Sequence, residues 1–143
     1  MIHVERLRQY SPEVAADLGR LMPFLSESLT DAPIPEDRLK AIVDSPFHDQ
    51  LIARNDKLVV GAATLSIVMA AGAGPRGYLE DFVTHPESKG AGSALWDEMG
   101  RWCLERHVKL NFTSNSNRLT AHHFYSKRAT IRNTTVFRAD FEQ

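Results

Sequence analysis

Residues 80–95, EDFVTHPESKGAGSAL, constrain this chain more than any other stretch. A short apolar run leads into a proline, then two glycines one residue apart, then apolar residues at helical spacing. That order reads as a strand, a turn and a helix start. Gly90 and Gly92 leave backbone N–H groups uncovered where the helix begins, and the helix N-terminus carries partial positive charge. Together they make a cradle for a phosphate or pyrophosphate, with Lys89 as a mobile cation beside it. A glycine pair at a helix start also serves plain tight turns, so the flanking elements carry the argument. The run is not a Walker loop, because neither glycine precedes Lys-Ser or Lys-Thr. Leu95 stands where a dinucleotide fingerprint needs its third glycine.

A chain of 143 residues fits one domain with its own core, and 1–143 is read as a single domain. A net charge of −1 argues against bulk nucleic-acid binding or an anionic membrane surface, so neither partner is expected. One cysteine, Cys103, leaves no disulfide framework and no multi-cysteine zinc site, and on an apolar helix face it reads as a small buried hydrophobe. His122 and His123 are adjacent, which denies them the same-face spacing of helical ligands, so no metal is expected. His85 before Pro86 reads as a turn residue. No apolar segment approaches 18 residues and the start lacks a signal-peptide run, so the cytoplasm is the expected compartment.

Along the chain, Ile2–Arg6 reads as a first strand. Ser11, Pro12 and Glu13 open a helix that runs to about Ser28, kinked or divided at Pro23. Pro35–Val43 reads as a second helix. Leu51–Arg54 and Lys57–Met69 read as strands joined at Asn55-Asp56, and Tyr78–Thr84 follows the loop Gly72–Gly77. A helix from Ser93 to about His107 carries Leu95, Trp96, Met99, Trp102 and Cys103 on one face. Val108–Thr113 is the next strand, Thr120–Lys127 a short helix, and Thr134–Phe141 a closing strand rich in threonine, valine and phenylalanine. This order describes an α/β domain with a mixed sheet.

At this point the sequence resembles the GNAT superfamily of acyl-CoA N-acyltransferases. The resemblance rests on EDFVTHPE, KGAGSAL, and RLTAHHFYSK with the following RNTTVFR, in that order and spacing from about Val59 to Arg138. It implies a central, mostly antiparallel twisted sheet flanked by helices, and acetyl-CoA as co-substrate. Backbone groups of Phe82, Val83 and Thr84 would pair with the pantetheine arm, and a strand N–H would polarise the thioester carbonyl. Lys89, Gly90, Ala91, Gly92, Ser93 and Ala94 would hold the pyrophosphate, with Arg118 near the cofactor where many members carry asparagine. Tyr125 would be the acid that protonates the departing thiolate, and Glu80 or Asp81 the base for the amine. Strand alternation sends those two carboxylates to opposite faces, so one of them faces the acceptor, with Glu80 the first choice.

The implied activity is transfer of an acetyl group to a primary amine, foremost of a small molecule such as an amino acid, polyamine or amino sugar. A peptide amine is second, because Asp31, Glu36, Asp37 and Asp44 lie where an acceptor loop could attract a cation. The alternative is an acyl-CoA-binding regulatory module with weak or no catalysis. Family analogy alone allows a homodimer. Two departures stand out: the turn Pro86–Gly90 is short and carries Glu87 where a basic or amide side chain is usual, and Ala129-Thr130 replaces a Gly-Phe pair.

Overall fold

A computed structural model describes residues 1–141. Strand β1 (Ile2–Arg6) leads to helix α1 (Pro12–Leu25), helix α2 (Glu36–Asp44) and the strands β2 (His48–Asn55), β3 (Leu58–Ala70) and β4 (Gly74–Thr84). Helix α3 (Ala91–Arg106), a short strand β5 (Leu110–Asn111) and helix α4 (Leu119–Ser126) complete the order. Contacts divide the chain into two compact units, one of them Met1–Phe112 and the other beginning at Thr113.

In the first unit the strands form one sheet in the order β1-β2-β3-β4-β5. The first four are antiparallel, and β5 adds in parallel through Gly77–Leu110 and Tyr78–Asn111. Each face buries its own apolar cluster. One face sets Leu51, Ala63, Leu65 and Leu79 against Leu95, Met99 and Trp102 of α3. The other sets Ile52, Val59, Ala62 and Val83 against Val14, Leu18 and Leu21 of α1 and Leu39 of α2. Neighbouring residues such as Leu51 and Ile52 thus serve opposite faces, as strand alternation requires.

Helix α1 starts where the sequence places it, with the Ser11 hydroxyl accepting from the Val14 N–H at 3.3 Å. It passes Pro23 undivided and stops at Leu25 rather than Ser28. Pro23 stands in the last turn, where its missing N–H shortens the helix instead of breaking it. A β-carbon at Gly19 would collide with the Ala32 backbone, so this glycine lets the loop before α2 lie directly on α1. The loop is pinned there by the Ile34 N–H donating to the Ala15 carbonyl at 3.0 Å. The expected loop Gly72–Gly77 is mostly strand, because β3 and β4 pair out to Ala70 and Gly74.

In the second unit the expected strand Thr134–Phe141 is not formed. Val136, Phe137 and Phe141 are exposed, and the Thr134 N–H bonds the Arg132 carbonyl two residues back at 3.0 Å. A β-rich composition specifies a strand only when a neighbouring strand supplies ladder bonds and a face to bury. The strand expected over Val108–Thr113 shrinks to Leu110–Asn111 for a related reason, since β4 pairs it at two positions only.

Candidate functional site

The site begins with a fault in the β3–β4 ladder. Thr64 faces Glu80 and Ala62 faces Val83, so Asp81 and Phe82 together oppose the single residue Ala63. This is a β-bulge, and Asp81 takes up its extra length in the left-handed region at φ 49°. Aspartate is among the few residues that tolerate this conformation.

The bulge corrects the expectation that Glu80 and Asp81 point to opposite faces. Glu80 is the cross-strand partner of Thr64, which puts it on the α1/α2 face. Asp81 lines a cavity on that same face, while Phe82 packs with the α3 side. Both carboxylates therefore share the face, and Asp81 is the one in the cavity wall.

The cavity has a volume of about 350 Å³ and lies between α1, the loop 29–35, α2 and the sheet. Its walls are mainly aliphatic, with Leu18, Met22, Ile34 and Leu39 among them, and its polar lining comes from Gln50, Thr64, Asp81, Arg38 and Thr30. Gln50 is buried, and its amide donates to the carbonyls of Leu51 and Ala63, each at 3.2 Å. Two carbonyl partners fix which end of that amide carries the hydrogens. Its oxygen accordingly accepts from the Thr64 hydroxyl at 2.8 Å. Among the described residues, neither Asp81 nor Arg38 has a side-chain hydrogen bond or an ion pair. Gln50, Thr64 and Arg38 were not legible as site residues. The only available signal was a glutamine and a threonine in otherwise apolar strands.

Beyond the bulge, the outer edge of β4 from Leu79 to Thr84 has no strand beside it among the described residues, since β5 pairs only to Tyr78. This stretch includes Phe82, Val83 and Thr84. The Phe82 ring lies 6.4 Å from Trp96 of α3, and Trp96 meets Phe112 edge-on at 6.0 Å.

At the end of β4 the chain enters the glycine turn. The His85 N–H closes the strand on the Val60 carbonyl at 2.7 Å, and the His85 carbonyl accepts from Ser88 at 2.9 Å. His85 Nδ1 accepts from the Glu87 N–H at 3.1 Å, which places the ring proton on Nε2, and its ring meets Phe24 of α1 edge-on at 5.1 Å. His85 is thus a turn residue, as the sequence suggests, and its ring and carbonyl organise the turn.

Gly90 caps α3 at φ 87°, a conformation that favours glycine, and no side chain caps the helix. A β-carbon there would meet nothing within 4 Å, so the cradle is open. The Ala94 N–H donates to the Gly90 carbonyl at 3.0 Å. Helix geometry leaves the N–H groups of Gly90, Ala91 and Gly92 ahead of it without intrahelical partners. The Ser88 hydroxyl is buried in this turn with no hydrogen-bond partner among the described residues. An open N-terminus, an orphaned hydroxyl and an exposed Lys89 fit a bound pyrophosphate; the exposed Glu87 opposes it.

In the second unit, Tyr125 lies in the last turn of α4 and Arg118 at its N-cap. Burial pushes the Tyr125 phenol above its ordinary pKa, against the charge of Arg118 and a hydrogen bond from it. Tyr125 is therefore a protonated donor at neutral pH. The missing glycine after α4 is replaced by another ending: the N–H groups of Arg128 and Ala129 both donate to the Tyr125 carbonyl, at 2.9 and 2.8 Å. No left-handed residue is needed there, since Lys127 stays right-handed. Cys103 is half-buried, and burial raises its pKa against the opposing charge of Arg106, which keeps it a thiol. Among the described residues no group of His, Cys, Asp and Glu could hold a metal ion, and no helix is long and apolar enough to cross a membrane.

The model of the acetyltransferase (GNAT) family matches residues 18–129. Among solved structures, an aminoglycoside acetyltransferase from an uncultured soil metagenomic sample, in complex with trehalose, superposes with a TM-score of 0.81. The two are 17% identical, over 99% of this chain and 97% of the other. A ribosomal-protein-alanine N-acetyltransferase from Brucella melitensis biovar Abortus 2308 gives a TM-score of 0.75 at 17% identity, over 99% of each chain. A transcriptional regulator from Bacillus halodurans C-125 gives 0.76 at 18% identity, over 99% of this chain and 100% of that one. At such identities these likenesses bear on the fold. No curated protein matches significantly.

Proposed function

The chain belongs to the acetyltransferase (GNAT) family, and we propose on that premise that it moves an acetyl group from acetyl-CoA to the primary amine of a small molecule, by direct attack in a ternary complex. The observation that carries this reading is the bulge at Asp81–Phe82. One distortion of β4 sets an exposed carboxylate in the wall of an open cavity, while the free edge of the same strand leads to the N-terminus of α3, which no side chain caps.

In this reading the backbone of Phe82, Val83 and Thr84 pairs with the pantetheine amides. Lys89 and the N–H groups of Gly90, Ala91 and Gly92 hold the pyrophosphate, the Ala94 N–H being committed to the Gly90 carbonyl, and a β4 N–H polarises the thioester carbonyl. Acetyl-CoA supplies an acyl group already activated as a thioester. Asp81 takes a proton from the acceptor ammonium, with Glu80 beside it on the same face as the second choice. The amine nitrogen bonds the acyl carbon, the carbon–sulfur bond breaks, and Tyr125 returns a proton to the sulfur. The reading takes 1–143 as one acetyltransferase domain at work in the cytoplasm. The test is release of free CoA thiol across an amine panel: thiol release with any primary amine supports it, and binding of acetyl-CoA without release refutes it.

Tyr125→Phe is expected to lower kcat about tenfold with little change in acetyl-CoA affinity. This is below the usual contribution of an acid, because a thiol of pKa about 8.5 leaves as thiolate with little help. Because the phenol is raised above its ordinary value of 10.0, any fall in rate from its ionisation should lie above that pH. An unchanged kcat would remove Tyr125 as the donor.

A second reading, an acyl-CoA-binding module of low catalytic power, draws on Glu87, an exposed carboxylate at the turn. Like charge near the pyrophosphate weakens its binding, so Glu87→Gln is expected to tighten CoA about two- to fivefold, the scale of a single exposed charge at a helix N-terminus. Calorimetric titration at low salt checks this, and an unchanged Kd would free Glu87 of that role.

A further inference from the structure

We propose that the acceptor is a zwitterionic amino acid with an apolar body, held by its ammonium group at Asp81 and by its carboxylate at Arg38; this rests on the acetyltransferase reading above. The direction of the hydrogen bonds in the cavity carries the inference. The Gln50 amide hydrogens are committed to the Leu51 and Ala63 carbonyls, and the Thr64 hydroxyl hydrogen to Gln50. Toward the cavity this pair therefore offers lone pairs: those of the Thr64 oxygen and the second one on the Gln50 oxygen. With the Asp81 carboxylate, that part of the site presents acceptors, which suits an N–H donor and rejects an anion.

Arg38 is the single cationic side chain in the lining, and no carboxylate neutralises it among the described residues. A guanidinium without a partner beside an apolar cavity suits a carboxylate, which it can grip at two points. The aliphatic part of the lining, Leu18, Met22, Ile34 and Leu39 among it, would bury an apolar side chain. At about 350 Å³ the cavity is near the small end of the range for small-molecule sites, roughly 300–1,000 Å³. A polyamine or an aminoglycoside fits this lining poorly. Its several ammonium groups would find one carboxylate, and Arg38 would repel them.

The test compares L-leucine, L-leucinamide, spermidine and an aminoglycoside as acceptors in the thiol-release assay, with wild type and Arg38→Ala. Arg38 is exposed, so its replacement leaves the core intact. The expected result is a kcat/KM for leucine at least tenfold above that for leucinamide, with the ratio falling at least tenfold in Arg38→Ala. A preference for spermidine or the aminoglycoside would overturn the proposal and leave the acetyltransferase reading standing. So would an equal loss on leucine and leucinamide in the variant. If no amine releases thiol, the acetyltransferase reading fails, and calorimetry of leucine with the CoA-saturated protein decides the pocket by itself. Binding that weakens tenfold or more in Arg38→Ala supports the amino-acid site, and no binding overturns it.

Discussion

Asp81→Asn is expected to lower kcat about 10²- to 10³-fold at pH 7, the contribution of a positioned general base. The size follows from the acceptor. An ammonium group whose pKa lies about two to three units above 7 is free base in only about one molecule in a hundred to one in a thousand at pH 7. Without a proton acceptor, the enzyme must wait for that fraction. The deficit should therefore shrink as pH rises, approaching wild-type rates near the amine pKa. Asparagine is the right replacement, because Asp81 sits at φ 49°, where asparagine is tolerated as well as aspartate. The bulge then survives and only the charge is lost. Glu80→Gln, on the same face but outside the cavity wall, is expected to cost a few-fold at most. A large loss in Glu80→Gln with little in Asp81→Asn would reverse the assignment, and a deficit independent of pH would argue against a base at either position.

The same strand shows what local reading of the sequence can and cannot deliver. The glycine turn was legible because its geometry is set by a few neighbours: Gly90 needs a positive φ, Pro86 ends the strand, and His85 ties the turn to itself. The α3 face was legible because Leu95, Met99 and Trp102 repeat at helical spacing and are all buried. The bulge was not, because a ladder fault is a property of two strands, and nothing local in Glu80-Asp81-Phe82 announces an extra residue against Ala63. Missing it sent Asp81 to the wrong side of the sheet. The cavity was hidden for the same reason: Gln50, Thr64 and Arg38 come from three elements, and only the pairing of β2 with β3 and the seating of α2 bring them together. The tail failed in the opposite direction. Thr134–Phe141 carries a strand-like composition without the neighbour that would make it a strand.

Trp102→Ala is expected to destabilise the protein by about 3–5 kcal/mol, the cost of deleting a fully buried aromatic side chain. The indole is 1% exposed and reaches under the sheet, where Gly77 leaves it room: a β-carbon on Gly77 would stand 3.3 Å from the ring and 3.0 Å from the Lys109 carbonyl. Its Nε1–H donates to Asp49 of β2 at 2.7 Å, and the Arg106 guanidinium lies 4.5 Å above the ring and 3.2 Å from the same carboxylate. Alanine would therefore open a cavity and also strip one donor from a half-buried carboxylate. For a domain of this size the loss should lower Tm by roughly 10 °C or more, read by thermal unfolding. Trp102→Phe separates the two contributions. It keeps most of the ring volume and loses the charged hydrogen bond, which is worth about 1.5–3 kcal/mol. A double-mutant cycle with Asp49→Ala, which removes the acceptor, should return most of that difference as coupling. The consequence for function is local. The N-terminal turn of α3 is held by Ala91 and Leu95, both fully buried and about three and two turns from Trp102, so Trp102→Phe should bind CoA like wild type well below its Tm. If CoA affinity fell in step with stability, the turn would have to be anchored from the far end of the helix. A Tm within about 2 °C of wild type for Trp102→Ala would show that the α3 face tolerates the void, against the usual cost of such cavities.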